Sequence, residues 1–150
     1  MIFHTNVVPL QRDCDVERMA SVERMSDNRL YFIGMNCPSK KNAKQITKDK
    51  RIISSKTVRR YEKEMAEVYR ANKDKFIELT KDKELPLRIG FYFYRDSKRK
   101  WDFCNIIQCP LDMFQEYGYI EDDDTKHVIP IYLGETVVKK KDSGFFIEIL

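Results

Sequence analysis

Leu87-Arg88-Ile89-Gly90-Phe91-Tyr92-Phe93-Tyr94 is the segment that most restricts how this chain can fold. Its aromatic and aliphatic residues suit a pleated, buried surface, and Pro86 marks its start. Helical patterns flank it on both sides. Upstream, Val58, Tyr61, Met65, Val68/Tyr69, Phe76 and Leu79 recur at helical spacing, predicting a long helix capped by Ser55 or Thr57 and running to about Thr80. Downstream, a second helix is expected from about Asp102 to Tyr117, ended by Gly118 and kinked after Ile106 by Pro110. Arg29–Gly34, Arg51–Ser54, His127–Leu133 and Gly144–Leu150 read as further strands, with Pro130 placing its strand at an edge or a bulge. The order predicts an α/β (α+β) domain: a mixed β-sheet with two helices packed on one face.

With 150 residues, the chain has room for one sizeable core. Residues 1–28 show no sustained period, so they are expected to form an N-terminal extension, flexible relative to a folded domain at 29–150. Asn36-Cys37-Pro38-Ser39-Lys40-Lys41-Asn42 breaks the first strand, and a basic loop is expected to continue to about Lys50.

The net charge of +4 means little; its distribution means more. From Lys40 to Lys63 there are ten Lys and Arg against Asp49 and Glu62, whereas residues 1–28 hold three Arg against five acids. Segregation of this kind points to a polyanion-binding side. The four cysteines, Cys14, Cys37, Cys104 and Cys109, have no zinc-ligand spacing, which argues against a structural zinc site. No apolar run is long enough for a membrane span, and free thiols suit a reducing, cytoplasmic location.

Two acidic features lie among the basic ones. Asp102 follows Lys98-Arg99-Lys100-Trp101 at the start of the second helix, and Glu121-Asp122-Asp123-Asp124 follows that helix. An aspartate at a helix start is a stabilising cap worth about 1 kcal/mol, and an acidic run is ordinarily a solvated turn. Carboxylates are also the ligands of Mg²⁺, which binds through one or two of them plus water. The acidic turn lacks the glycine and distal glutamate of a calcium loop. Projected at 100° per residue, Asp102, Asn105, Cys109 and Asp112 share an arc of about 80°, opposite Phe103, Ile107, Leu111 and Phe114. Cys104 projects nearer the apolar side and is expected to point into the core. Asp112 lies roughly 15 Å along the helix from Asp102, too far to share an ion, and is expected to orient a Lys or Arg instead.

These residues carry a family resemblance. From Tyr31 to Leu150 the chain resembles the RusA family of phage and prophage Holliday junction resolvases. Pro38-Ser39 with Asn42 resembles the family's Pro-Ser-x-Asn segment, and Asp102-Phe103-Cys104-Asn105 its Asp-x-Asp-Asn, with Asp112 at the second helical aspartate. Gly118-Tyr119-Ile120-Glu121-Asp122-Asp123 resembles its Gly-x-x-x-Asp-Asp turn. The resemblance implies Mg²⁺-dependent cleavage of branched DNA by a homodimer, with Mn²⁺ as an alternative ion. It assigns catalysis and metal binding to Asp102, Asp122 and Asp123, of which Asp123 matches better than Asp122.

There are two departures: Cys104 stands at a family aspartate and Gln108 at a family lysine. A neutral thiol is a poor Mg²⁺ ligand, so either Asp122 or Asp124 substitutes or activity is reduced or lost, and Lys100 or Lys126 can supply the missing positive charge. Lys40, Lys41, Lys44, Lys48, Arg59, Arg60, Lys100 and Lys126 are the candidate contacts to DNA phosphates. Two readings follow: an endonuclease of DNA recombination and repair, or a homologue that binds branched DNA with weakened or absent cleavage. A small protein-interaction module is a third, and it would leave the basic loop without a role.

Overall fold

The structure, a computed structural model, describes residues 28–40 and 44–150. The N-terminal extension expected at 1–28 lies outside them except for Asn28. Asn28, just ahead of the first strand, is bonded to the last one: its carbonyl accepts from the Ile149 N–H at 3.1 Å, and its side-chain amide donates to the Ile149 carbonyl at 3.4 Å.

Four strands form the main sheet: β1 (Arg29–Ile33), β4 (Leu87–Arg95), β5 (Val128–Val137) and β6 (Gly144–Ile149), in the order β1-β6-β4-β5. β6 runs antiparallel to both β1 and β4, whereas β4 and β5 are parallel. Parallel neighbours need a crossover. Here it is the second helical region, which carries the chain from the end of β4 back to the start of β5. Pro130, which has no N–H to give, sits on the edge strand as expected. The register shift in β5 falls at Leu133, three residues further on.

Residues 44–54 depart from expectation. Instead of a loop leading to a lone strand, β2 (Lys44–Ile46) and β3 (Ile52–Ser54) pair antiparallel as a separate two-stranded ribbon. The signal was hidden because β2 has only three residues and lies within a basic stretch.

Helix α1 (Lys56–Thr80) begins at Ser55, whose Oγ accepts from the Val58 N–H at 3.3 Å. It buries Val58, Tyr61, Met65, Tyr69 and Phe76, the predicted stripe, with Val68 and Leu79 half-buried beside it. Ser55→Ala is expected to destabilise the fold by about 1 kcal/mol, read as a lower urea midpoint at unchanged slope. An unchanged midpoint would mean that packing alone fixes the helix start.

The second helical region is two pieces, α2 (Phe103–Ile106) and α3 (Gln108–Glu116). Pro110 has no N–H to offer the Ile106 carbonyl, and the break falls at Ile107. Alternation along β4 sends Leu87, Ile89, Phe91 and Phe93 into the core shared by both helical regions, so the helices cover one face. Phe114 sits at its centre, with ring centroids 5.6 Å from Phe32, 6.1 Å from Phe91 and 4.7 Å from Tyr119. Tyr31, Tyr92, Tyr94 and Phe146 form an aromatic layer on the other face. Among the described residues, no helix is long and apolar enough to cross a membrane.

Candidate active site

Asp102 is the N-cap of α2. Its Oδ1 accepts from the Cys104 N–H at 2.9 Å and its Oδ2 from the Asn105 amide at 3.2 Å. The carboxylate is exposed, so its remaining lone pairs are open to water or an ion. The preceding residue is anchored: Trp101 Nε1 donates to Glu135 Oε1 at 2.8 Å, and the same oxygen accepts from Tyr132 Oη at 2.8 Å. The Arg95 guanidinium lies over the Trp101 ring, 4.5 Å from its centroid. Glu135 thus ties the approach to Asp102 to edge strand β5. It carries no sequence signal, because it lies 34 residues from Trp101 on another element.

Cys104 is exposed, correcting the expectation that it points into the core. The helical projection counts 100° per residue from Asp102, but Asp102 is an extended N-cap, and Ile107, Leu111 and Phe114, which define the apolar side, lie at or beyond the break, so the angle of Cys104 relative to them does not hold. The same break moves Cys109 off the polar arc. It is buried, and burial pushes its thiol well above the ordinary range.

Lys40 also departs from its expected role. Its backbone N–H donates to the Asn105 carbonyl at 3.0 Å, and its ammonium pairs with Asp112 at 3.1 Å. With its side chain only 16% exposed, Lys40 braces the Pro38 loop against α2 and α3. Asp112 thereby does what was expected of it, orienting a basic side chain. Of the other basic candidates, Lys48, Arg59, Lys100 and Lys126 are exposed, and Arg60 is exposed while pairing with Glu64 at 3.1 Å. Lys44 opens β2, and Lys41 lies outside the described residues. Gln108 is exposed one turn before Asp112.

The acidic turn is positioned by the end of α3. Gly118, at φ +79°, occupies the left-handed position after the helix. Its N–H donates to the Gln115 carbonyl at 3.2 Å and the Tyr119 N–H to the Phe114 carbonyl at 2.7 Å, while the Phe114 and Tyr119 rings stack. This paired closure fixes where the chain leaves the helix. Tyr119 and Ile120 are buried, which holds the start of Glu121–Asp124 in place.

The four acids then divide. Asp124 Oδ1 accepts from the Lys126 N–H at 3.1 Å and lies 2.6 Å from His127 Nδ1, and Glu121 lies 3.7 Å from His127 Nε2. The hydrogen bond with Asp124 chiefly raises the His127 pKa and holds the Asp124 carboxyl below the usual range. Asp124 is therefore engaged, which leaves Asp122 as the better candidate to substitute for a missing ligand. Asp122 Oδ1 accepts from the Asp123 N–H at 2.8 Å. The Asp123 carboxyl is held above its ordinary pKa by partial desolvation, then by its hydrogen bond with Asp122 and by the charges of Asp112 and Asp122. A divalent cation relieves crowding of this kind.

Among the described residues, no group of three His, Cys, Asp or Glu side chains could hold a metal ion. The structure thus does not bring Asp102 and the Asp122–Asp123 pair together as one three-ligand cluster. Exposed carboxylates in ones and twos still match the donors of Mg²⁺, which keeps most of its water.

No curated protein matches the chain. A family model does: endodeoxyribonuclease RusA, over residues 36–149. At the family level this implies Holliday junction resolvase activity, and action on branched DNA. The match runs from the Pro38 loop through Asp102 and the acidic turn to the last strand, and with that coverage the chain belongs to the RusA endodeoxyribonuclease family.

Proposed function

We propose that this chain is a Mg²⁺-dependent endodeoxyribonuclease that resolves four-way DNA junctions as a homodimer. The observation that carries the reading is the placement of the acids. Asp102 and the Asp122–Asp123 pair flank α2 and α3, each fixed by backbone hydrogen bonds, with Asp123 crowded by neighbouring carboxylates. Asp102 and Asp123, with Asp122 beside it, would offer carboxylate donors in ones and twos to a mostly hydrated ion rather than a closed three-ligand set, and the ion when bound would supply positive charge at the scissile phosphate and a more acidic water. Asp102, fixed as a cap with lone pairs to spare, serves as ligand or proton acceptor without reorganising. Exposed Lys48, Arg59, Lys100 and Lys126 contribute affinity for the DNA backbone. A two-fold dimer suits a junction because each subunit can face one of the two strands to be cut.

One feature favours a second reading, a homologue that binds junctions without cutting them. Cys104 is exposed beside Asp102, where a weak Mg²⁺ ligand stands in place of the family's aspartate.

Incubating the purified protein with an end-labelled four-way junction, with and without Mg²⁺ or Mn²⁺, separates the two. Paired, symmetry-related nicks that require the ion are expected. Junction-selective binding with no nick under either ion would establish the second reading instead.

A further inference from the structure

The β2–β3 ribbon stands apart from the main sheet and carries an unusual pair. Ile46 and Ile52 are direct cross-strand partners, so their side chains share one face of the ribbon. They are 76% and 67% exposed, more than any other large hydrophobic side chain among the described residues. The turn beyond them is ordered. The Thr47 N–H donates to the Arg51 carbonyl at 2.8 Å, the Arg51 N–H to Thr47 Oγ1 at 3.0 Å, and Lys50 adopts φ +62°. Exposed Lys48, Lys50 and Arg51 lie in the turn that joins the pair, Arg51 being paired with Asp49 at 3.2 Å.

We infer that the Ile46–Ile52 pair is an apolar wedge that inserts against unstacked bases at a DNA branch point. An isolated two-stranded ribbon is marginal in water, and two exposed isoleucines at its end add to that instability until something covers them. The cations of that turn specify a polyanionic partner. In duplex DNA the apolar base faces are closed by stacking. At a branch point stacking is already interrupted, so an aliphatic wedge meets base faces at lower unstacking cost. Phosphate contacts from Lys48, Lys50 and Arg51 then supply affinity, and the isoleucines supply preference for branched over linear DNA. The inference rests on the junction-binding reading above and adds its selectivity determinant.

The test uses the full chain without a divalent ion, a four-way junction bearing 2-aminopurine beside the branch point, and a linear duplex of the same sequence. Ile46→Thr with Ile52→Thr keeps β-branched residues in the ribbon. Wild type is expected to prefer the junction and to brighten 2-aminopurine on binding. The double variant should bind the junction about 10-fold more weakly, as expected for lost apolar contacts, keep its duplex affinity and lose the fluorescence rise. Replacing Lys48, Lys50 and Arg51 with Gln should instead weaken binding to both DNAs and flatten the salt dependence.

Wild-type junction preference and fluorescence in the double variant would remove the wedge while leaving the junction reading intact. A wild type that binds junction and duplex equally would overturn both. A dimer-to-monomer shift in sedimentation of the double variant would reassign the pair to contact between copies. Loss of binding to phosphatidylserine vesicles, with DNA binding unchanged, would reassign it to a lipid surface.

Discussion

Asp102→Asn is expected to lower junction cleavage by more than about 100-fold, beyond what loss of a group that merely supports a metal ligand produces. Binding and folding should be nearly unaffected. Asparagine caps helices as well as aspartate does, and its oxygen can still accept from the Cys104 N–H. Asn105 can present its amide oxygen to the new side-chain NH₂, preserving the second contact. The substitution thus removes a charge and little else, and thermal stability should stay within roughly 0.5 kcal/mol of wild type. Gel shift without a divalent ion, cleavage with Mg²⁺ and a melting curve read the three quantities separately. Asp124→Asn provides the contrast. Asp124 is already engaged by His127 and the Lys126 N–H, so its loss should cost far less activity than that of Asp102. Equal activity of Asp102→Asn and wild type would take Asp102 out of the chemistry.

Much of this arrangement is legible in the residues themselves. The apolar stripe of α1 and the alternation of β4 report directly which side faces the core, because packing and hydrophobic period agree there. Pro110 locates the helix break and Gly118 the helix end, since each constrains the backbone locally. Legibility fails where a long-range contact decides. Lys40 looks like one cation among many until the chain folds it onto Asp112 and Asn105. Glu135 becomes part of the site only because β5 lies parallel to β4, bringing it within reach of the Trp101 N–H. The direction of Cys104 is not legible, because the apolar residues it is projected against, Ile107 and Leu111, lie at or beyond the break in the helix. Both carboxylate groups are visible in the sequence. The spacing between them depends on how α2 and α3 join.

Gly144→Ala is expected to be the most damaging single-methyl change in the molecule, destabilising it by about 4 kcal/mol or more. Gly144 opens β6 opposite Ile33, at φ +146°, a backbone conformation that side-chain-bearing residues rarely adopt. An added Cβ would lie 2.1 Å from the Phe32 carbonyl oxygen and 2.9 Å from the Ile33 Cα. These are main-chain atoms of a paired strand, so no change of rotamer relieves the clash. Either β1 must separate from β6 or the chain must turn differently after Ser143, whose carbonyl accepts from the Gly34 N–H at 2.8 Å. Both options disturb the stack of Phe32 on Phe145, with centroids 4.9 Å apart, at the middle of the core. Gly90 shows why location decides the outcome. There an added Cβ would meet Leu133 side-chain carbons at 2.6–3.0 Å, but Leu133 is 37% exposed and can swing aside. Gly90→Ala should therefore cost about 1 kcal/mol or less. Urea unfolding of the two variants beside wild type measures the difference. A loss of 4 kcal/mol is a large fraction of the 5–15 kcal/mol typical of a domain, so much of Gly144→Ala should be unfolded at moderate urea. Similar midpoints for the two alanine variants would show that the β1–β6 corner yields more easily than its main-chain contacts imply.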